Sequence, residues 1–306
     1  MQPELWIVLA IGAALAQTTR NAFAQNLSSQ ISPALNSWSR FAFCLPFAAA
    51  TCVAVSIHSG LPKLPAAFFA CCLVTALTQL LGNVALIAAF RAGSFGESIV
   101  FHKLEVVLTA LAGAMLFGEF PSALGWVGIA VCALGVIAIN LGREGGVRDW
   151  TRAFRMGPAG GYALLCAALL VIASFALKAG NGIVASSNPE IADGAFAAPV
   201  QTLFHTTWME VVLLSLWIGK KEPASFRAVG QHWRRMLMIG STGFIASLGW
   251  FWAFSLTLVA YVKAVGQIEA LIAVALGIRL LGERGLMRQL PGILLVVLGI
   301  SFVLLS

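Results

Sequence analysis

The chain has 306 residues, 59% of them apolar and 10% charged, with a formal net charge of +7. That balance excludes a soluble globular domain and, with apolar runs of membrane-crossing length, points to an all-α polytopic membrane protein. The positive charge lies in short loops between apolar runs, so it bears on membrane orientation and argues against nucleic acid as a partner.

In chain order, the apolar runs predict spans near 4–27, 33–57, 64–91, 94–117 and 121–141. Five more follow near 157–184, 195–218, 230–256, 259–281 and 287–305. Helices are the expected form, because lipid leaves unpaired backbone groups unsatisfied and strand-like alternation is missing. A secretory signal is not expected, since Met1 to Glu4 carries no basic residue and no small-residue cleavage site leads into a soluble chain. Pro33 and Pro121 suit first-turn positions, where the missing amide has no partner to lose.

The longest polar insertion, 143–156, divides ten transmembrane helices into five and five. The expected organisation is therefore a first five-helix repeat over 1–142, a linker over 143–156 and a second repeat over 157–306. Five is odd, so the two repeats must be inverted relative to each other, which is a plan of secondary transporters with substrate near the midplane. Internal self-similarity agrees with this. Glu105 and Gly118-Glu119 recur at Glu269 and Gly282-Glu283 with an offset of 164, and the same offset carries Gly128 to Gly292 and Gly135 to Gly299. The glycines are expected to let helix backbones approach closely. Glu119 and Glu283 are expected to cap or face the N-terminus of the helix that follows each.

Of the 19 Lys and Arg, 12 fall on the side of the loops after the odd-numbered spans: Arg91, Arg143, Arg148, Arg152, Arg155, Lys220, Lys221, Arg227, Arg234, Arg235, Arg284 and Arg288. The opposite side holds Lys63, and the rest lie in or at the ends of spans. This bias places the linker in the cytoplasm and both termini in the periplasm of a bacterial inner membrane. The six cysteines, all within apolar runs and without ligand-like spacing, read as small core residues. No metal and no cofactor is expected.

Ten spans in two inverted halves, with the fourth of each ending in Gly-Glu (Gly118-Glu119, Gly282-Glu283) before a helix bearing Gly128 or Gly292, resemble the EamA family of the drug/metabolite transporter superfamily. The resemblance covers nearly the whole chain and is specific for fold rather than cargo. It implies export of a small polar or amphipathic metabolite by alternating access, often with proton coupling, and a cavity lined by spans one, three, four, six, eight and nine. It also implies cytoplasmic termini, against the charge bias, and the bias is followed here.

Functional residues are sought where the apolar rule is broken. Arg20, Arg40, Glu97, Lys103, Glu105, Lys178, Glu210, Lys263 and Glu269 all fall within predicted spans. If they faced lipid, at roughly 3 kcal/mol each, they would together oppose insertion by about 25 kcal/mol, so they must face a cavity or each other. On an unbroken fourth span at about 100° per residue, Glu97, Ser98, His102, Glu105 and Thr109 share a face while Lys103 points away. The ninth span gives Glu269 the equivalent face, and Gln267 replaces Lys103 under the offset. Two readings stay open. Either these groups are buried ion pairs that lock helices together, or they form a midplane site where carboxylates exchange protons and cations grip an anionic group. A carboxylate in low dielectric can be protonated near neutral pH, which is the motive for the second reading.

Arg20 and Lys178 come late in the first span of each half and could equally snorkel to the interface. His102 and His205 are proton-carrier candidates by intrinsic chemistry, or hydrogen-bonded interior histidines. Trp250 and Trp252 on the eighth span read as a pocket wall for an apolar moiety or as packing, and cannot both face one pocket. No enzyme constellation is present, since Asp149 and Asp193 lie in loops. The function expected is a secondary active exporter of an amino acid-like metabolite, with a flippase of lipids or lipid headgroups using the same cavity as the alternative. The partners are a small-molecule substrate and the bilayer, with a second copy of the chain as a further candidate.

Overall fold

Apolar side chains on nearly every turn favour helices in lipid, because only a helix satisfies its backbone within one segment. A computed structural model describes residues 4–92, 95–144, 156–191, 194–281 and 286–306, with the side chains of 95–97, 141–144, 194, 276–281 and 286–287 left aside. The Gly282-Glu283 pair, Arg284, Asp193 and linker residues 145–155 lie outside the described residues. So does the side chain of Glu97.

The described chain is helical: α1 (Leu5–Leu27), α2 (Pro33–Ala42), α3 (Leu45–Ser59), α4 (Ala66–Ala92), α5 (Phe95–Lys103), α6 (Glu105–Leu116) and α7 (Ala123–Glu144). Then come α8 (Pro158–Ser187), α9 (Gly194–Lys221), a 3₁₀ turn (Pro223–Phe226), α10 (Arg227–Leu256), α11 (Val259–Gly266), α12 (Ile268–Leu281) and α13 (Leu286–Leu304). Among the described residues, six stretches are long and apolar enough to cross a membrane: 33–59, 66–92, 98–116, 123–140, 158–187 and 223–256.

Ser32 caps α2 by accepting the Leu35 amide at 3.2 Å, and Pro33 occupies the first turn as expected. Pro121 does not enter α7. It precedes the cap residue Ser122, whose hydroxyl accepts the Gly125 amide at 3.0 Å. Three runs expected to be continuous are broken, at Phe43-Cys44, at Leu104 and at Gln267. The first break has a proline behind it, since Pro46 in the first turn of α3 offers no amide to the carbonyl of Ala42.

Packing divides the chain into two units. Unit 1 is 1–77 with 175–256, and unit 2 is 78–174 with 257–306. In unit 1, α1 packs along α10, and α9 packs on α2, α3 and α10. Leu27, Leu35, Ile218, Met236 and Ile239 form a fully buried cluster there. In unit 2, α7 crosses α13 with backbone contact. A Cβ on Gly128 would lie 2.8 Å from the Gly299 carbonyl oxygen, and one on Gly135 would lie 2.9 Å from that of Gly292. The two helices are therefore antiparallel, and the 164 offset exchanges one contact for the other. Any side chain larger than hydrogen would push these backbones apart.

Candidate functional site

Unit 2 brings the charges of the fourth and ninth predicted spans together. Lys103 Nζ donates to Glu269 Oε1 at 2.9 Å, and Lys263 Nζ donates to Glu105 Oε1 at 2.5 Å. Each broken run thus supplies one ammonium and one carboxylate, and the bridges run reciprocally between the runs. The four side chains are 10–24% exposed, so water screens them little and each charge depends on its partner.

The helix breaks account for the placement. Glu105 opens α6 and Glu269 lies in the first turn of α12, where the partial positive charge of a helix N-terminus favours a carboxylate. Lys103 closes α5 and Lys263 lies in the last turn of α11, where the partial negative charge favours an ammonium. An unbroken wheel turned Lys103 away from the site. The break at Leu104 resets the angular relation between Lys103 and Glu105, and the orientation read from that wheel is corrected accordingly.

Other residues attach to this quartet. Lys263 Nζ also lies 3.5 Å from the Leu170 carbonyl oxygen of α8. His102 sits within electrostatic reach of all four charges, and its Nδ1 lies 3.7 Å from Cys166 Sγ. Gln267, at the break, donates through Nε2 to the Lys263 carbonyl at 3.1 Å, while its buried Oε1 has no hydrogen-bond partner among the described residues. Glu97 belongs to α5, with its side chain outside the described residues.

Glu119 has the structural role expected of it, but toward a different helix. Its Oε2 accepts the Val259 amide at 2.9 Å, so it caps α11 rather than the α7 that follows it. The loop is also pinned by Tyr261, whose hydroxyl accepts the Ser122 amide at 2.9 Å.

The remaining candidates lie in unit 1. His205 accepts from Trp208 Nε1 at 3.0 Å through Nδ1 and is ringed by Phe68, Phe69 and Phe204 at 5.0–5.4 Å, the setting of a satisfied interior histidine. Trp250 donates to Gln17 at 3.1 Å and stacks on Phe254, while Trp252 packs on Phe196 at 4.6 Å. Lys178 is half-buried on α8. Arg40, on α2, lies within electrostatic reach of Glu210 of α9, and Arg20, on α1, lies with Arg40 within reach of Cys44. The sequence marks Glu210 as an intramembrane charge without assigning it a role, marks Cys166 only as a small core residue, and gives no signal for Thr207, which carries no charge.

Helices of membrane-crossing length that enclose such charges define a multi-pass membrane protein. Residues 4–141 match the EamA-like transporter family. The match supports an EamA-like transporter of the drug/metabolite transporter superfamily and bears out the resemblance carried by Gly118-Glu119 and Gly128. Among 28 matching solved chains, one crystal structure is similar over 98% of this chain and 97% of its own, with a TM-score of 0.72 at 16% identity, a likeness of fold. No curated protein matches the sequence.

Proposed function

We propose that this transporter exports a small polar or amphipathic, amino acid-like metabolite by alternating access coupled to protons, with the quartet of unit 2 as the coupling centre. The reciprocal bridges Lys103–Glu269 and Lys263–Glu105 carry this reading. A proton taken up by Glu105 neutralises its carboxylate and releases the Lys263 ammonium, and one taken up by Glu269 releases Lys103. Each bridge joins two different broken helices, so loss of a bridge loosens one α5/α6 contact with α11/α12. A conformational equilibrium then responds to protonation to the extent that the two states bind the proton differently. In this reading His102, within electrostatic reach of all four charges, relays the proton.

Ten spans in two inverted five-helix repeats, 1–142 and 157–306, complete the reading, with the broken runs 33–59, 95–116 and 259–281 each counted as one span. The antiparallel α7–α13 contact, which the repeat offset maps onto itself, supports that arrangement.

The test is uptake into inverted vesicles of a ligand first selected by a melting-temperature screen against amino acids, amines and organic acids. Glu105→Gln and Glu269→Gln are expected to remain folded, because glutamine still accepts from lysine, and to lose the dependence of rate on pH. Uptake with unaltered pH dependence in both variants would overturn the reading and assign the quartet to helix locking.

A further inference from the structure

The first turns of α10 carry charges that the coupling centre does not use. α10 has 30 residues and so rises about 45 Å, against a hydrocarbon layer of about 30 Å. Its C-terminal end is apolar and includes buried Phe251, Ala253 and Phe254, so the excess length falls at the N-terminal end, among Arg227, Arg234 and Arg235. The 3₁₀ turn Pro223–Phe226 joins this end to Lys220 and Lys221 of α9. All five cations are exposed, and the carboxylate of the turn, Glu222, accepts from Ser225 Oγ at 2.9 Å.

Lys220 and Lys221 have a structural role, since they close α9, where the partial negative charge of a helix C-terminus favours an ammonium. Arg227 has the opposite setting. It opens α10, where the partial positive charge disfavours a cation, and its side chain has no hydrogen-bond or ion-pair partner among the described residues. A cation kept at an unfavourable helix end points to an anion supplied from outside the chain.

The same helix face gives that anion a shape. At about 100° per residue, Arg234 lies within about 20° of Arg227 and roughly 10 Å further along the axis, and exposed Met238 and Ile245 continue the stripe. From Arg234 to Ile245 the helix rises about 16 Å, close to the hydrocarbon depth of one leaflet. Exposed Trp233 marks the boundary between the two zones, with the Arg234 guanidinium 5.5 Å from its ring centroid. Arg235 is engaged elsewhere, its Nη1 donating to Gln30 Oε1 at 2.9 Å. A pair of arginines above an exposed apolar stripe of leaflet depth is complementary to a phospholipid of net negative charge, with phosphate on the guanidiniums and an acyl chain along Met238 and Ile245. A free anion would leave the stripe unused, and a zwitterionic lipid would bring a cation of its own to the arginines.

We propose that the N-terminal turns of α10 form a binding site for an anionic phospholipid, with Arg227 and Arg234 as its phosphate ligands. The site is independent of the coupling reading, since the lipid is neither cargo nor proton carrier and its binding is measured without transport.

The experiment is thermal melting of the purified full chain in dodecyl maltoside micelles, titrated with dioleoyl phosphatidylglycerol, dioleoyl phosphatidylcholine or glycerol 3-phosphate. Phosphatidylglycerol is expected to raise the melting temperature at a mole fraction about fivefold or more below that needed by phosphatidylcholine. Arg227→Gln and Arg234→Gln should each raise the required mole fraction about fivefold, which corresponds to about 1 kcal/mol per cation. Arg91→Gln, which removes an exposed cation at the end of α4 in the other unit, should leave it unchanged. The proposal is overturned if phosphatidylglycerol acts on the wild-type chain no better than phosphatidylcholine, a comparison that needs no variant to fold. Glycerol 3-phosphate acting as well as phosphatidylglycerol would overturn it in favour of a free-anion site. Arg91→Gln weakening the lipid as much as Arg227→Gln would overturn it in favour of diffuse charge.

Discussion

Glu119 illustrates how far one side chain's role can be read from sequence. A carboxylate beside a proline after an apolar run signals a helix end, and the structure puts its Oε2 on a helix-terminal amide, that of Val259. Which helix it would serve could not be read, because the partner lies 140 positions away and is set by packing of α11 against α6, α7 and α13. Glu119→Ala is expected to cost about 1 kcal/mol, the usual worth of an N-cap. Glu119→Gln, which keeps an acceptor oxygen and loses the charge, should cost a few tenths of that range. Melting of the purified variants checks both, and wild-type stability in Glu119→Ala would mean that Tyr261 alone holds the loop. The buried charges show the same division. Their presence in apolar runs marked Arg20, Arg40, Glu105 and Lys263, whereas the partner of each depended on geometry that no periodicity encodes.

At the scale of elements, the sequence predicted three continuous spans where the chain breaks, and the reason is physical. Apolar periodicity runs through Leu104 and Gln267 undisturbed, and neither position carries a proline. What sets these breaks apart is charge order, with a cation on the N-terminal side and a carboxylate on the C-terminal side, so each new helix end meets the charge it stabilises. The carboxylates Glu105 and Glu269 obey the repeat, but Lys103 maps onto Gln267 and Lys263 onto Ile99, about one helical turn from Lys103. Reciprocal bridging was therefore not legible from the repeat alone. Exchanging Lys103 and Glu269, as the double variant Lys103→Glu with Glu269→Lys, separates the two stabilising effects. The Coulomb attraction of the pair is kept, while each charge now opposes its helix end. The double variant is expected to melt above either single variant, which leaves a buried charge uncompensated at a cost of about 3–5 kcal/mol. It should still melt below wild type, by roughly 0.3–1 kcal/mol per reversed helix end. Equal melting of the double variant and wild type would show that the helix ends contribute nothing.

For the whole molecule, sequence halves and packed units are different divisions. The expected halves meet in the linker 143–156, whereas the compact units change over inside α4 and α8, at Leu77/Thr78 and Ser174/Phe175. The repeat was legible because a fixed offset survives in residues that backbone contact restricts to glycine. The packed units were not, since they follow from which helices the bilayer brings side by side. Orientation is a property of the whole chain and rests on loop charge, with 12 of 19 Lys and Arg on one side and Lys63 alone in the loops of the other. Two inverted halves, as proposed above, would leave the fold nearly symmetric across the membrane, with little in the packing to oppose the direction this charge selects. A reporter fused after Ser306 is expected to behave as periplasmic, and one inserted at Gly145-Gly146 as cytoplasmic. Removing the linker charges, by replacing Arg148, Arg152 and Arg155 with glutamine, should then raise the fraction of molecules in which the two reporters exchange sides. A C-terminal fusion that reports from the cytoplasm in the unmodified chain would show that the family's usual topology prevails over the loop charges, and the coupling protons would have to be assigned to the opposite faces of the membrane.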